Sequence, residues 1–395
     1  MAREAVIVSA VRSAIARCKK GSFRDTHPVH YGGLVVREAV ARAKGLDPKD
    51  IDDLVIGCAM PEGELGMNLA RLVSFAAKLP FETSAITVNR FCASGLQSIS
   101  QAAERIILGE ADVVVAGGVE DMTHVPMGGN KPVAYPTLAA EWIEAYTPMG
   151  LTAENVAKKF NITRERQDAF ALLSHQRAVR AIDEGRFKSQ ILPIETEVFD
   201  AGPDGRPVGK KVVVDTDEGP RRDTTLEGLA KLKPAFDPTG TVTAGNASQM
   251  NDGAAAVVLM TRERARALGL KPLAVYRHYQ VAGVPPEIMG VGPAFANPQL
   301  MKRAGIKTDA VDVWEVNEAF ASQALYCVDD ALHLDPEKVN PNGGAIALGH
   351  PLGCTGSFLT CKMLYELERT KKRYGVVSMC IGGGMGAAGL FEREG

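Results

Sequence analysis

At 395 residues the chain is too long for one ordinary hydrophobic core and implies two or three domains. Its 46% apolar and 23% charged residues are the profile of a globular protein in water, and a net charge of −2 argues against nucleic acid or an anionic membrane as partner. Seven cysteines without a CxxC pair speak against a disulfide framework, and no apolar run approaches the ~18 residues of a membrane span.

In chain order, Met1 to Ser9 read as a strand and not a signal peptide, because charged residues follow a short apolar run. The closing Arg393-Glu394-Gly395 is no peroxisomal address, so the expected compartment is the cytoplasm. Strand 5–10 precedes an amphipathic helix at 31–44 (Leu34, Val35, Ala39, Val40), with His27 and His30 flanking Pro28 in a surface loop. Strand 51–58, helix 68–79 and strand 85–89 follow. Next comes a tight turn at Phe91 and Cys92, then a helix whose apolar residues Leu96, Ile99, Ala103, Ile106 and Ile107 recur at helical spacing up to a stop at Gly109. Cys92 thus stands where a strand ends and a helix begins. Unpaired first-turn N–H groups and the positive end of the helix dipole favour a thiolate there, the state of a nucleophile. The competing reading is a buried, inert cysteine. Strand 112–117 is Val-rich, and the alternation implies an α/β sheet whose central strands are buried on both faces.

From 120 to 242 the texture changes to prolines, glycines and charged loops around a long helix at 164–184. Thr224-Thr-Leu-Glu227 reads as a capping box opening another helix. This segment is expected to be an insertion that covers the sheet and carries substrate contacts. Residues 1–119 plus 243–270 form one half around it, with the strand rhythm resuming at 254–260. Residues 271–395 form a second half that echoes the first: 45–55 against 305–315, Val88-Asn89 against Val339-Asn340, and strand 113–117 against 376–380. Such duplication implies two sheets related by a pseudo-twofold axis, with corresponding turns meeting at the centre.

Three further stretches then converge on Cys92. His350, set among glycines and a proline, is a base able to take the Cys92 proton. The other six histidines lie in undistinguished settings. Cys380 ends a strand and opens the glycine turn 382–384, repeating the local design of Cys92. Once its surroundings tune it, such a thiol can act as acid or base, and the glycine N–H groups can form an oxyanion hole. Asn317, followed by Glu318, offers an amide to hold a water or polarise a carbonyl. Gly382-Gly-Gly-Met-Gly-Ala387 also satisfies the dinucleotide pattern GxGxxA, but too few residues follow for the helix and strand that pattern requires.

Taken together, Asn89-Arg-Phe-Cys-Ala-Ser-Gly-Leu-Gln97, Asn317-Glu-Ala-Phe320, Asn342-Gly-Gly-Ala-Ile-Ala-Leu-Gly-His-Pro-Leu-Gly353 and Cys380-Ile-Gly-Gly-Gly-Met-Gly386 resemble a thiolase in order and spacing. Thr243-Ala-Gly-Asn-Ala-Ser248 and Met149-Gly-Leu-Thr-Ala-Glu154 extend the likeness over the whole chain. The resemblance is greatest to the degradative 3-ketoacyl-CoA type, with biosynthetic acetoacetyl-CoA thiolase as the alternative. It implies duplicated α/β halves in a layered αβαβα core with a large inserted loop domain.

It further implies that His350 activates Cys92 and that Cys92 and Gly382 N–H groups hold the oxyanion. Asn317 and His350 would stabilise an acetyl-CoA enolate that Cys380 protonates, in ping-pong transfer to a second CoA. Ser248, Arg221, Met149, Met289, Phe236 and Phe320 match positions lining the CoA or acyl site. Pro148 and Gly228 depart from the acetoacetyl-CoA pattern, where a histidine and a serine stand. By resemblance the protein takes coenzyme A as substrate with no permanently bound cofactor or metal, forms a homodimer or homotetramer, and is open to a hydratase/dehydrogenase partner. A condensing ketosynthase or hydroxymethylglutaryl-CoA synthase is the second reading, disfavoured by Cys380. A non-catalytic acyl-CoA-binding relative is the third, disfavoured because all three reactive residues are present.

Overall fold

The computed structural model describes residues 3–394; Met1, Ala2 and Gly395, part of the terminal readings above, lie outside the described residues. The first half runs β1 (Ala5–Arg12), β2 (Ala16–Arg17), α1 (Pro28–Arg42), β3 (Asp53–Gly57), α2 (Leu69–Ala76), β4 (Ser84–Val88), α3 (Ser94–Leu108) and β5 (Val113–Asp121). A covering segment follows, with α4 (Pro136–Glu141), α5 (Met149–Lys159), α6 (Arg164–Asp183), the hairpin β6 (Ile194–Ala201) and β7 (Pro207–Val214), and α7 (Leu226–Ala230). The chain returns to the sheet through β8 (Asn251–Thr261) and α8 (Arg262–Ala267). The second half then comprises β9 (Ala274–Gly283), α9 (Gly292–Ala304), β10 (Val313–Val316), α10 (Ala321–Leu325), α11 (Ala345–Leu348), α12 (Leu352–Thr370), β11 (Tyr374–Ile381) and β12 (Met385–Glu392).

The duplication read from the sequence is a duplication of topology. In the first half the order is β4-β3-β5-β8-β1, with β4, β3 and β5 parallel and β8 and β1 each antiparallel to the neighbour before it. In the second half the order is β10-β11-β12-β9 with the same directions, and Val339 bridges Trp314 in parallel where β4 stands in the first half. One expectation is corrected. The two sheets are joined into one hydrogen-bonded path, because Val6 pairs with Val275 and Ile7 with Ala274 between β1 and β9.

Helices make the remaining layers. α1 and α2 pack on the first half, α9 packs on β9, β11 and β12, and α3 and α12 touch strands of both halves, giving αβαβα. β5 and β8 are buried at every residue, as strands covered on both faces must be. The central helices approach backbone to backbone: a Cβ at Gly95 would lie 2.8 Å from Gly353 O, and one at Gly356 would lie 2.5 Å from Leu96 N. That closeness brings the N-termini of α3 and α12 side by side, and with them the residues just before each helix.

The covering segment is fastened by a buried ion pair, Arg12 to Asp217 at 2.7 Å, with the Arg12 guanidinium also over the rings of Phe187 and Phe358. Two local readings change. α1 begins at Pro28 with His27 as its N-cap, so His27 and His30 open a helix and are not in a loop; the Pro at the first helical position supplies the fixed φ that starts it. The cap of α7 is Thr225, which accepts from the Gly228 N–H, while Thr224 donates its hydroxyl to Arg221 O. Gly228, not Glu227, therefore occupies the third helical position, and no reciprocal capping box forms.

Candidate active site

Cys92 lies in a single 3-10 turn, Phe91–Ala93, between β4 and α3. Phe91 is held at φ 43°, in the left-handed region that a bulky side chain rarely enters. Side chains fix the turn: Asn89 accepts from the Phe91 N–H at 2.8 Å, and Ser94 accepts from Arg90 N–H at 2.8 Å while donating to Phe91 O at 2.6 Å. This turn packs against both α12 and β11, and Cys92 rests on Ala59, Met122 and Leu352. Gly109 ends α3 in the left-handed conformation, as its position in the sequence predicts.

The expected thiolate is corrected. Burial pushes the Cys92 thiol up to about 11, the Gly382 N–H draws it down, and the charge of Glu120 raises it further. Desolvation of the sulfur outweighs the first-turn N–H groups, so the resting group is a thiol. The same balance places the Gly382 N–H, together with Cys92's own N–H, against the sulfur. Cys380 is wholly buried at the end of β11, and burial followed by the neighbouring Cys92 raises it well above an ordinary thiol. It therefore keeps its proton at neutrality and is not tuned toward it.

His350 is buried and lowered to about 4 by desolvation, which leaves a neutral imidazole. Its Nδ1 is 2.6 Å from Thr355 Oγ1, its Nε2 is 3.4 Å from the Asn317 amide nitrogen, and its backbone N–H donates to Asn251 Oδ1. With the amide donating to Nε2, the ring proton sits on Nδ1 and points to Thr355. Asn317 follows β10, donates its own N–H to Ser378 O at 2.9 Å, and keeps Oδ1 buried without a partner among the described residues. Glu318 beside it is buried, accepting from Ser174, Asn340 and the Ile346 N–H, and burial raises its carboxyl. The rejected dinucleotide reading of 382–387 finds its explanation in β12, an antiparallel return strand where the pattern needs a helix.

Cys92 and Cys380, from different halves, thus meet at the Gly382 turn, and the neutral imidazole of His350 meets the Asn317 amide beside β11. The model of the family described as "Thiolase, N-terminal domain" matches residues 5–263, and that of "Thiolase, C-terminal domain" matches residues 270–393. The chain belongs to the thiolase family. It is 53% identical to the 3-ketoacyl-CoA thiolase of Bacillus subtilis (strain 168) over 99% of both chains. It is 47% identical to the peroxisomal 3-ketoacyl-CoA thiolase of Homo sapiens, over 100% of this chain and 92% of that one. The crystal structure of the Bacillus anthracis acetyl-CoA acetyltransferase matches with a TM-score of 0.88 at 41% identity, over 99% of each chain.

In this thiolase, most residues singled out for the CoA or acyl site gather around Cys380. Met289, Phe320 and Met149 pack with it, Phe236 meets Phe320 edge-on at 6.0 Å, and Ser248 donates its N–H to Ala319 O. Arg221 lies further out, exposed, on a cavity of about 360 Å³ with His175, Arg180 and Arg222. His175, beside it, is buried on α6, accepts the Arg221 N–H at Nδ1, and is lowered to about 4, by burial and then by the Arg221 charge. Its signal was present, since it falls on the buried stripe Ala171, Ser174, Ala178 and Ala181 of that helix. Sequence reasoning also passed over Thr355, Asn251, Ser174 and Glu120, whose polar atoms orient the reactive groups or the segments carrying them. Among the described residues all seven cysteines are free, and no helix is long and apolar enough to cross a membrane.

Proposed function

We propose that this chain cleaves 3-ketoacyl-CoA with CoA to acetyl-CoA and a shortened acyl-CoA, as in fatty-acid β-oxidation. The observation that carries the reading is the meeting of Cys92 and Cys380, from different halves, at the Gly382 turn. Neutral His350 takes the Cys92 proton as the sulfur attacks the 3-keto carbonyl, and the new oxyanion lies toward the N–H groups of Cys92 and Gly382. Breaking the bond between the α- and β-carbons leaves the acyl group on Cys92 and an acetyl-CoA enolate facing His350 and Asn317. Cys380 supplies the proton that completes acetyl-CoA. A second CoA thiol, giving up its proton in the same site, takes the acyl group and frees Cys92. Two sulfurs are needed because one stays bonded to acyl while the other serves the α-carbon.

The degradative direction is favoured by the 53% identity to a relative named 3-ketoacyl-CoA thiolase, against 41% to one named acetyl-CoA acetyltransferase. Pro148 at the start of α5 also departs from the short-chain pattern. Met149, Met289, Phe236 and Phe320 line the acyl and pantetheine end, with Ser248 nearby and Arg221 toward the nucleotide. Seven free thiols fit a reducing, cytoplasmic setting. The exposed edge of β4 suits pairing with a second copy.

The test is the initial rate of CoA-dependent cleavage across 3-ketoacyl-CoA chain lengths, with mass spectrometry of the protein after mixing with acyl-CoA. Wild type becomes acylated, Cys92→Ser does not, and Cys380→Ser accepts acyl but fails at carbon–carbon cleavage. Equal labelling of wild type and Cys92→Ser overturns the reading.

A further inference from the structure

Glu120 is fully buried at the C-terminal end of β5, opposite Gly253 of β8, and takes part in no step described above. Its carboxylate accepts three backbone N–H groups: Ala59 at 2.8 Å, Met60 at 3.2 Å and Gly353 at 2.6 Å. The first two belong to the loop after β3. The third belongs to the first turn of α12, three residues beyond His350.

From Ala59 the connection continues toward the nucleophile. Ala59 O accepts from the Asn89 side chain at 3.0 Å, and Asn89 Oδ1 accepts from the N–H of strained Phe91. From Gly353 it continues toward the base, since Thr355 of the same turn holds His350 Nδ1. No larger residue fits at the junction: a Cβ on Gly353 would stand 2.6 Å from both Glu120 Oε2 and Ala59 N. A carboxylate at the start of a 19-residue helix also meets the positive end of its dipole.

We propose that Glu120 is a positioning residue of the thiolase reaction: one buried carboxylate ties the turn that carries Cys92 to the helix start that carries His350, and so sets the separation of nucleophile and base. The proposal rests on the reading of Cys92 as the acylated residue. Its charge has a second consequence. The titratable groups around Glu120 are Cys58 at the end of β3, Cys92 on its turn, Cys354 on α12 and Tyr31 of α1, whose hydroxyl donates to Glu120 O; Asp121 and Asp252 lie on β5 and β8 beyond. Ionised Glu120 disfavours the Cys92 thiolate. Burial raises Glu120 itself to about 7, with the N–H groups of Ala59, Gly353 and Met60 holding it down.

The experiment compares wild type with Glu120→Gln, Glu120→Asp and Asn89→Ala, reading kcat, KM and the pH midpoint of iodoacetamide alkylation at Cys92 by mass spectrometry. Glu120→Gln lowers the alkylation midpoint as the opposing charge is removed. It also lowers kcat about a hundredfold through misplacement, with KM little changed. Glu120→Asp keeps the charge but shortens the reach, so the midpoint returns while kcat stays low. Asn89→Ala cuts the tie on the nucleophile side, lowering kcat with the midpoint unmoved, and it carries the test if Glu120→Gln does not fold.

An unmoved midpoint in folded Glu120→Gln, or a kcat within about threefold of wild type in Asn89→Ala, overturns the proposal. A wild type that cleaves through acylated Cys92 while these variants behave normally sinks only this inference. A wild type that fails to acylate Cys92 sinks the catalytic reading beneath it.

Discussion

Asn317 holds its amide nitrogen 3.4 Å from Nε2 of His350 while its Oδ1 stays buried and unpartnered among the described residues. A buried acceptor without a partner is costly, as expected of a side chain completed by a water or by substrate. In the proposed reaction, replacing it by Ala removes a preorganised polar group from the place where enolate charge would develop. Asn317→Ala should lower kcat for cleavage by about 10²–10³-fold, with KM little changed. Acylation of Cys92 by acyl-CoA, which forms no enolate, should be retained. Steady-state kinetics beside intact-mass labelling checks both; equal loss of the two activities would contradict the role.

The pH dependence of Cys92 follows from its shift. An acid raised to about 11 keeps its proton at neutrality, so the thiolate at pH 8 is about one part in a thousand. Alkylation of the free protein by iodoacetamide tracks that fraction and should climb about tenfold per pH unit from pH 8 to 10 without levelling, and less steeply near pH 7, where Glu120 gains the charge that opposes the thiolate. His350, lowered to about 4, is already in its base form across this range and adds no second step. A plateau below pH 8 would mean that a thiolate–imidazolium pair pre-exists, as the helix-start argument alone suggests.

That contrast marks what the sequence could carry. The strand, the turn at Cys92, the helix and its Gly109 stop are local features written in apolar spacing and one glycine. The duplicated halves were legible because each repeats the same strand and glycine punctuation. The thiol state of Cys92 was not, since it depends on how much water the folded chain removes from the sulfur. The sequence places Glu120 at the start of the insertion, while in the structure β5 runs on to Asp121 through two glycines that resemble a turn. The join between β1 and β9 rests on two residue pairs and leaves no trace in composition. His175 needed α6 to be placed against Arg221 before its ring had a neighbour to explain it.

The glycine turn separates a steric requirement from a chemical one. A Cβ at Gly382 would meet Met149 Sδ at 3.5 Å and Phe91 Cδ2 at 3.7 Å, ordinary contacts, and Ala keeps the N–H that lies against Cys92. Gly382→Ala should therefore fold as wild type, with the cost appearing as a higher KM for longer acyl chains. Gly384 has φ 84°, and a Cβ there would press to 2.9 Å from Pro286 N. Gly384→Ala should lose about 2–4 kcal/mol of stability, from the left-handed backbone and the overpacking together. Urea unfolding of the two variants decides it; equal midpoints would show that the turn relaxes at both sites.

Among the described residues β4 ends the sheet with its outer edge unpaired, and the surface beside it is apolar: Ile86 is 48% exposed, Phe81 75% and Met67 88%. An edge strand of this kind invites another strand, and a second copy supplies an identical one about a twofold axis. Such pairing would also brace the catalytic turn, because β4 runs directly into Asn89, Phe91 and Cys92. Wild type should therefore be a dimer at micromolar concentration by light scattering. Ile86→Lys sets like charges facing across the axis and should shift it toward monomer. Activity should fall with dimer content and recover as protein concentration rises. A variant that keeps the dimer mass, or a monomer with full turnover, would place the interface elsewhere.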